Sequence, residues 1–151
     1  MHLDDNISAH FTFRELTHSA LAVRHGLLNE PNSDEIQNLI HLAENILEPV
    51  RDHFDIPFRP SSGYRSLAVN QLLGSPSTSQ HITGEAVDFE IPSVSNRDVA
   101  AWVKDHLSFD QMILEFHQPD IPHSGWLHCS YRAGNNRQQS LMFDGKIYRE
   151  F

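Results

Sequence analysis

A chain of 151 residues with 39% apolar and 21% charged residues has the size and balance of one globular domain, which excludes the disordered and fibrous classes. Its 20 acidic residues against 11 basic ones give a net charge of −9, which argues against a nucleic-acid partner and against an anionic membrane surface. Eleven histidines make that charge pH-dependent below about pH 6.5, and the single cysteine, Cys129, excludes an internal disulfide.

The N-terminal stretch MHLDDNISAH is acidic and lacks the apolar core of a signal peptide, and no later run approaches the ~18 apolar residues of a membrane span. A protein that is cytoplasmic at synthesis and does not insert into membranes is expected. Any extracellular substrate would then be reached by a separate release route. FTFRELTHSALAVRHGL reads as one or two short helices covering the core with Phe11, Phe13, Leu16 and Leu21. After Pro31, Asn32 and Glu35 stand at capping-box spacing, and Ile36, Leu39, Ile40, Ala43, Ile46, Leu47 and Val50 recur at helical intervals. Pro49 predicts a kink late in this helix, which should end near Phe54.

PFRPSSGYRS reads as an extended segment opening into a turn at Gly63, and SLAVNQLLG as a brief helix stopped by Gly74. In EAVDFEI, Val87, Phe89 and Ile91 alternate with Ala86, Asp88 and Glu90, predicting a strand with one apolar face and one carboxylate face. Ser95 and Asp98 open a second helix with Val99, Trp102, Val103 and Leu107 inward. FDQMILEF and GWLHCSY are two further strands, and SLMFDGKIYREF reads as a hairpin turning at Asp144-Gly145. With no repeat and no linker, the chain predicts a single α+β domain, a small, mostly antiparallel sheet packed against helices.

The chemistry gathers in Ser79-Gln80-His81-x-x-Gly84-x-Ala86-x-Asp88, a loop histidine followed by a strand carboxylate. A catalytic zinc takes three imidazole or carboxylate ligands and keeps one position open, and this spacing lets one connection deliver two of them. Gly84 permits the tight entry, and small Ala86 leaves room beside Asp88. A third ligand is available in GWLHCSY, where His128 shares a strand face with Trp126 and Ser130. Each residue alone has a common structural use, so the combination carries the reading. Cys129 should face away from His128 and reads as a small buried hydrophobe.

SSGYRS, SQHITGEAVDFEI, FDQMILEF and GWLHCSY together resemble, in order, the signature segments of the zinc D-alanyl-D-alanine carboxypeptidase family, including its phage endolysin-like members. These are peptidoglycan metallopeptidases whose fold is shared with lysostaphin-type peptidases and the Hedgehog domain. The resemblance spans residues 11–131 and implies one metallopeptidase domain over residues 1–151. It also implies one zinc ion held by His81, Asp88 and His128, and Arg65 as an anion-binding or oxyanion-stabilising group. Ser62, Tyr64 and Ser79 would add hydrogen bonds to the substrate.

Many relatives carry a Glu three residues before the last histidine ligand, and here that position is Gly125. The proton acceptor is therefore assigned to Glu115, in the strand preceding GWLHCSY, where antiparallel pairing brings it toward the metal site. A Glu paired with a cation on an open sheet face is the alternative. His117 and His123, in the connecting loop, are further candidates for proton donation.

The implied function is hydrolysis of stem peptides by metal-activated water in a monomeric enzyme. Either a carboxypeptidase removing terminal D-alanine or an endolysin-type endopeptidase, released to the wall by a holin, fits. The rivals are a non-catalytic zinc domain that recognises a wall fragment or partner, and a phage virion component.

Overall fold

The computed structural model describes residues 1–151. Two short helices form the N-terminal cover, each started by a hydroxyl cap. Thr12 accepts from the Glu15 N–H while Glu15 accepts from the Thr12 N–H, opening α1 (Phe13–Thr17), and Ser19 caps α2 (Ala20–Arg24). Phe11, Phe13 and Leu16 are buried. Leu21 is only half-buried, and Ala22 takes the inward position of α2.

The second capping box, Asn32 with Glu35, opens α3 (Ser33–Leu42). The irregularity expected from Pro49 is present, but it precedes the proline. Ala43–Leu47 form a π-helical turn that leads into α4 (Glu48–Phe54), with Pro49 in the first turn of α4. Proline has no N–H for the carbonyl four residues back, so the ladder widens upstream and restarts where that missing donor is tolerated. Leu39, Ala43, Ile46, Leu47 and Val50 stay fully buried through this change, and Asp55 ends α4 in a left-handed conformation.

Ser61 and Ser62 run along the outer edge of β1 (Ala86–Phe89). The Ser61 N–H donates to Asp88 O at 2.9 Å and the Asp88 N–H to Ser62 O at 2.8 Å. The turn expected at Gly63 is absent. Gly63 is a point of close approach, where a Cβ would lie 2.4 Å from the Leu16 carbonyl oxygen. The helix α5 (Leu67–Leu72) follows with a Ser66 cap, and Gly74 at φ 70° stops it as the sequence predicts.

The sheet holds β1, β3 (Trp126–Ser130), β2 (Gln111–Glu115), β4 (Gln139–Phe143) and β5 (Tyr148–Glu150) in that spatial order. Every neighbouring pair is antiparallel except β2 with β4, so the fold is α+β with a mostly antiparallel sheet. The terminal hairpin forms, but across residues 144–147 rather than a two-residue Asp-Gly turn. The Asp144 carboxylate stabilises this connection by accepting from the Lys146 and Ile147 N–H groups at 2.8 Å each.

One face of the sheet buries Val87, Phe89, Met112, Leu114, Leu127 and Cys129 against the helices, including Val99, Ala100 and Val103 of α6 (Asn96–His106). Trp102 of α6 is half-buried and stacks on His53, with ring centroids 4.3 Å apart. Burying side chains of this size stabilises by about 1.5–3 kcal/mol each, so this layer dictates which side chains face outward. Asp88, His128, Ile113, Glu115, Trp126, Phe143 and Tyr148 share the opposite face by register. Unlike the one-sided strand expected, β1 is buried on both faces, because Arg65 and His81 lie over its carboxylate side. Cys129 is fully buried, and burial pushes its thiol up, so it has no nucleophilic character.

Candidate metal centre

His81 occupies the loop before β1, and its ring is aimed by Gly63. Nδ1 lies 2.7 Å from the Gly63 carbonyl oxygen, an arrangement that places the N–H on Nδ1 and leaves the Nε2 lone pair free. That Nε2 is buried and has no hydrogen-bond partner. It lies 3.4 Å from Asp88 Oδ1, and His128 Nδ1 lies 3.0 Å from the same oxygen. Antiparallel pairing of β1 and β3 sets Asp88 directly opposite His128.

Ligand atoms from all three residues lie within 4.8 Å of one another. Ligands about 2.0–2.1 Å from a tetrahedral zinc sit roughly 3.3 Å apart, so the 3.0 and 3.4 Å separations already have the required size. An orphaned, buried imidazole nitrogen beside a carboxylate is costly unless a cation satisfies it, so the donor set fits a divalent metal.

The protonation states agree with this fit. Burial holds the His81 imidazole below its ordinary value and hence neutral. Burial alone would raise the Asp88 carboxyl, but the hydrogen bond from His128 outweighs it and holds Asp88 far below the usual range. Metal ligation needs this combination of neutral imidazole and ionised carboxylate.

Gly84 is required on two counts. Its φ is 76°, and a Cβ there would lie 2.6 Å from the Glu35 carbonyl oxygen, so the loop docks directly on α3. A second anchor carries no local sequence signal. Asp110, just before β2, is fully buried and accepts from the Arg137 N–H, Nε and Nη2 at 3.0, 2.9 and 3.0 Å, and from Gln80 Nε2 at 2.8 Å. It ties the neighbour of His81 to the sheet and to the segment after β3. Arg137 stands 27 residues away in sequence, so only the fold reveals the pair.

Burial would raise the Asp110 carboxyl, yet its donors bring it down to about 2, from an ordinary value of 3.8. A depressed folded-state pKa stabilises above the unfolded value and loses that contribution as pH falls toward 2. Asp110→Asn is therefore expected to cost about 2–3 kcal/mol at neutral pH. It should also flatten the acid-side loss of stability between pH 4 and pH 2, and denaturant melts across that range read both effects. An unchanged acid limb would assign the titration to other carboxylates.

Arg65 is aimed at the triad by three contacts, with Nε on Ser62 Oγ at 3.1 Å, Nη1 on Ser75 Oγ at 3.4 Å and Nη2 at 3.5 Å from Asp88 Oδ2. Burial lowers its pKa from the ordinary guanidinium value, against the opposing pull of Asp88 and Glu115, but a guanidinium stays charged at any working pH. Glu115 lies opposite Trp126 and one diagonal step from His128 on the same face. Burial raises its carboxyl, with opposing influences from His128 and Arg65.

The remaining predicted residues divide. Ser62 receives the Arg65 Nε–H, and Ser79 Oγ accepts the His81 N–H at 3.3 Å. Tyr64 is not at the site. It is buried in the core, and desolvation together with Glu35 pushes its phenol up to about 12. His117 Nδ1 lies 3.2 Å from the Ser124 carbonyl, and His123 is exposed. A cleft of about 520 Å³ between Phe11, Phe58, Arg51 and Arg59 shares no residue with this site.

No curated protein matches the chain. The family description Peptidase M15 matches residues 9–130, a span that contains Arg65, His81, Asp88, Glu115 and His128 and leaves β4 and β5 outside. With four-fifths of its length matched and a buried His-Asp-His cluster inside the match, the chain belongs to the peptidase M15 family.

Proposed function

We propose that this chain is a zinc peptidase that hydrolyses the stem peptides of peptidoglycan. The observation supporting it most is the convergence of His81 Nε2, Asp88 Oδ1 and His128 Nδ1, one of them an orphaned buried nitrogen, on the sheet face that carries Glu115. A zinc ion held by these three would polarise the scissile carbonyl and acidify the attacking water. Glu115 takes the proton from that water and passes it to the leaving amine, a task favoured by a carboxyl raised above its ordinary value. Arg65 donates to the developing oxyanion or to a substrate carboxylate, with Ser62 and Ser75 fixing its fork. Ser62 and Ser79 thus serve by positioning Arg65 and His81, and Tyr64 serves the core.

The reading is tested by incubating purified protein with defined stem peptides, with and without chelator, and weighing the fragments. Cleavage is expected, lost on chelation and restored by added zinc. Loss of a terminal D-alanine marks a carboxypeptidase, and an internal cut marks an endopeptidase of the lysis type. If zinc-loaded protein cuts no stem peptide, the peptidase reading fails, and a zinc domain that recognises wall fragments takes its place.

A further inference from the structure

Register sets Trp126, Glu115, Phe143 and Tyr148 in one row across β3, β2, β4 and β5, on the face that carries the metal cluster. Glu115 therefore has an aromatic neighbour on each side. Phe116, immediately after β2, is the irregular member. Its φ is 55°, a left-handed conformation that costs a bulky residue roughly 1–2 kcal/mol. An ordinary strand continuation would send Phe116 to the face opposite Glu115. The left-handed turn instead sets its ring 5.3 Å from Trp126 and 5.6 Å from Phe143, and Phe143 stacks on Tyr148 at 4.2 Å with 19° between the planes.

These rings do not fill a core. Phe116 is 43% exposed and Tyr148 55% exposed, and Ile147 beside them is 52% exposed. Gly145 lets the terminal hairpin close on Phe116, where an added Cβ would lie 2.8 Å from Phe116 Cε1. Backbone strain that holds a partly exposed aromatic ring at the surface, next to a candidate catalytic carboxylate, is the kind of feature that accompanies a ligand-contact surface. Phe143, Tyr148 and the connection between them lie beyond the family-matched residues 9–130.

Resting on the peptidase reading above, we infer that this row is a saccharide subsite, in which a neutral pyranose ring of the glycan bearing the stem peptide stacks on Tyr148, whose other face is covered by Phe143, and meets the exposed Phe116 ring as a steeply inclined side wall. Three features select this occupant. The row is continuous with Glu115, so its ligand is a part of the substrate that extends from the scissile bond. The exposed rings themselves carry no charge, and in the adjoining hairpin Asp144 and Arg149 pair with each other at 3.7 Å, so the stacking surface is neutral. Flat aromatic faces with a phenol at the rim suit a ring that offers C–H groups on its faces and hydroxyls at its edge. Strands about 4.8 Å apart put Tyr148 roughly 10 Å from Glu115, within reach of a sugar joined to the bound peptide.

The test uses soluble β-1,4-linked oligomers of N-acetylglucosamine, titrated into the full chain and followed by tryptophan fluorescence. A Trp102→Phe background leaves Trp126 as the reporter, since the chain has two tryptophans. Saturable quenching is expected with and without chelator, weakened about 3- to 10-fold by Phe116→Ala and by Tyr148→Ala. Tyr148 is exposed, so its variant remains informative if Phe116→Ala perturbs folding. Absence of saturable binding, or equal binding by both variants, overturns the subsite, as does quenching by an apolar hexapeptide in place of the sugar. The readout needs no hydrolysis: sugar binding without stem-peptide cleavage overturns the peptidase reading alone, and cleavage without sugar binding overturns the subsite alone.

Discussion

Glu115→Gln is expected to lower stem-peptide turnover by about 10²- to 10⁴-fold while leaving the bound-zinc content unchanged. The substitution keeps the shape of the side chain between its neighbours Trp126 and Phe143 and touches none of the three ligand residues. It removes the one nearby carboxylate outside the ligand set that couples electrostatically to both His128 and Arg65. Turnover and metal content measured on the same preparation separate the outcomes. Activity within threefold of the parent would move proton transfer to another group, and loss of zinc would make Glu115 part of the metal site.

The second large effect concerns Gly125, the position where many relatives of the resembled family carry a glutamate. Gly125→Ala is expected to destabilise the fold by about 2–5 kcal/mol, summing the left-handed penalty and the overpacking cost. Gly125 has φ 68°, and a Cβ there would lie 1.8 Å from the Glu115 carbonyl oxygen and 2.7 Å from the Phe116 carbonyl carbon. No side chain fits without moving the end of β2, where Glu115 itself sits. Gly125→Glu should therefore unfold more readily than the parent and lose activity rather than gain a base. Denaturant midpoints give the stability. A Glu115→Gln, Gly125→Glu double variant with restored turnover would refute the assignment of Glu115.

These two positions explain each other. The backbone path that excludes a side chain at 125 brings the start of β3 against the end of β2, and the register then delivers Glu115 opposite Trp126. Under the proposed function, the carboxylate that serves in place of the glutamate absent at position 125 comes from the adjacent strand. The same turn region holds Phe116 in its left-handed conformation, linking the candidate base to the aromatic row.

What the sequence by itself determined rests on near neighbours. The capping box of Asn32 with Glu35 involves contacts three residues apart, and the stripe from Ile36 to Val50 is set by helical periodicity. Alternation in β1 and β3 placed Asp88 and His128 on the sides of their strands away from Val87, Phe89, Leu127 and Cys129, so the shared face of these two candidate ligands was legible before any pairing was known. Only the tertiary structure decided the rest, because each case depends on residues far apart in sequence meeting at close range. The π-helical turn answers Pro49 upstream, Gly63 yields to the Leu16 carbonyl, and Tyr64 turns inward. Asp110 finds Arg137 and Gln80, and Gly125 is pressed against Glu115. Periodicity reports the direction of a side chain relative to its own strand or helix, whereas these contacts depend on how separate elements pack, which local pattern does not encode.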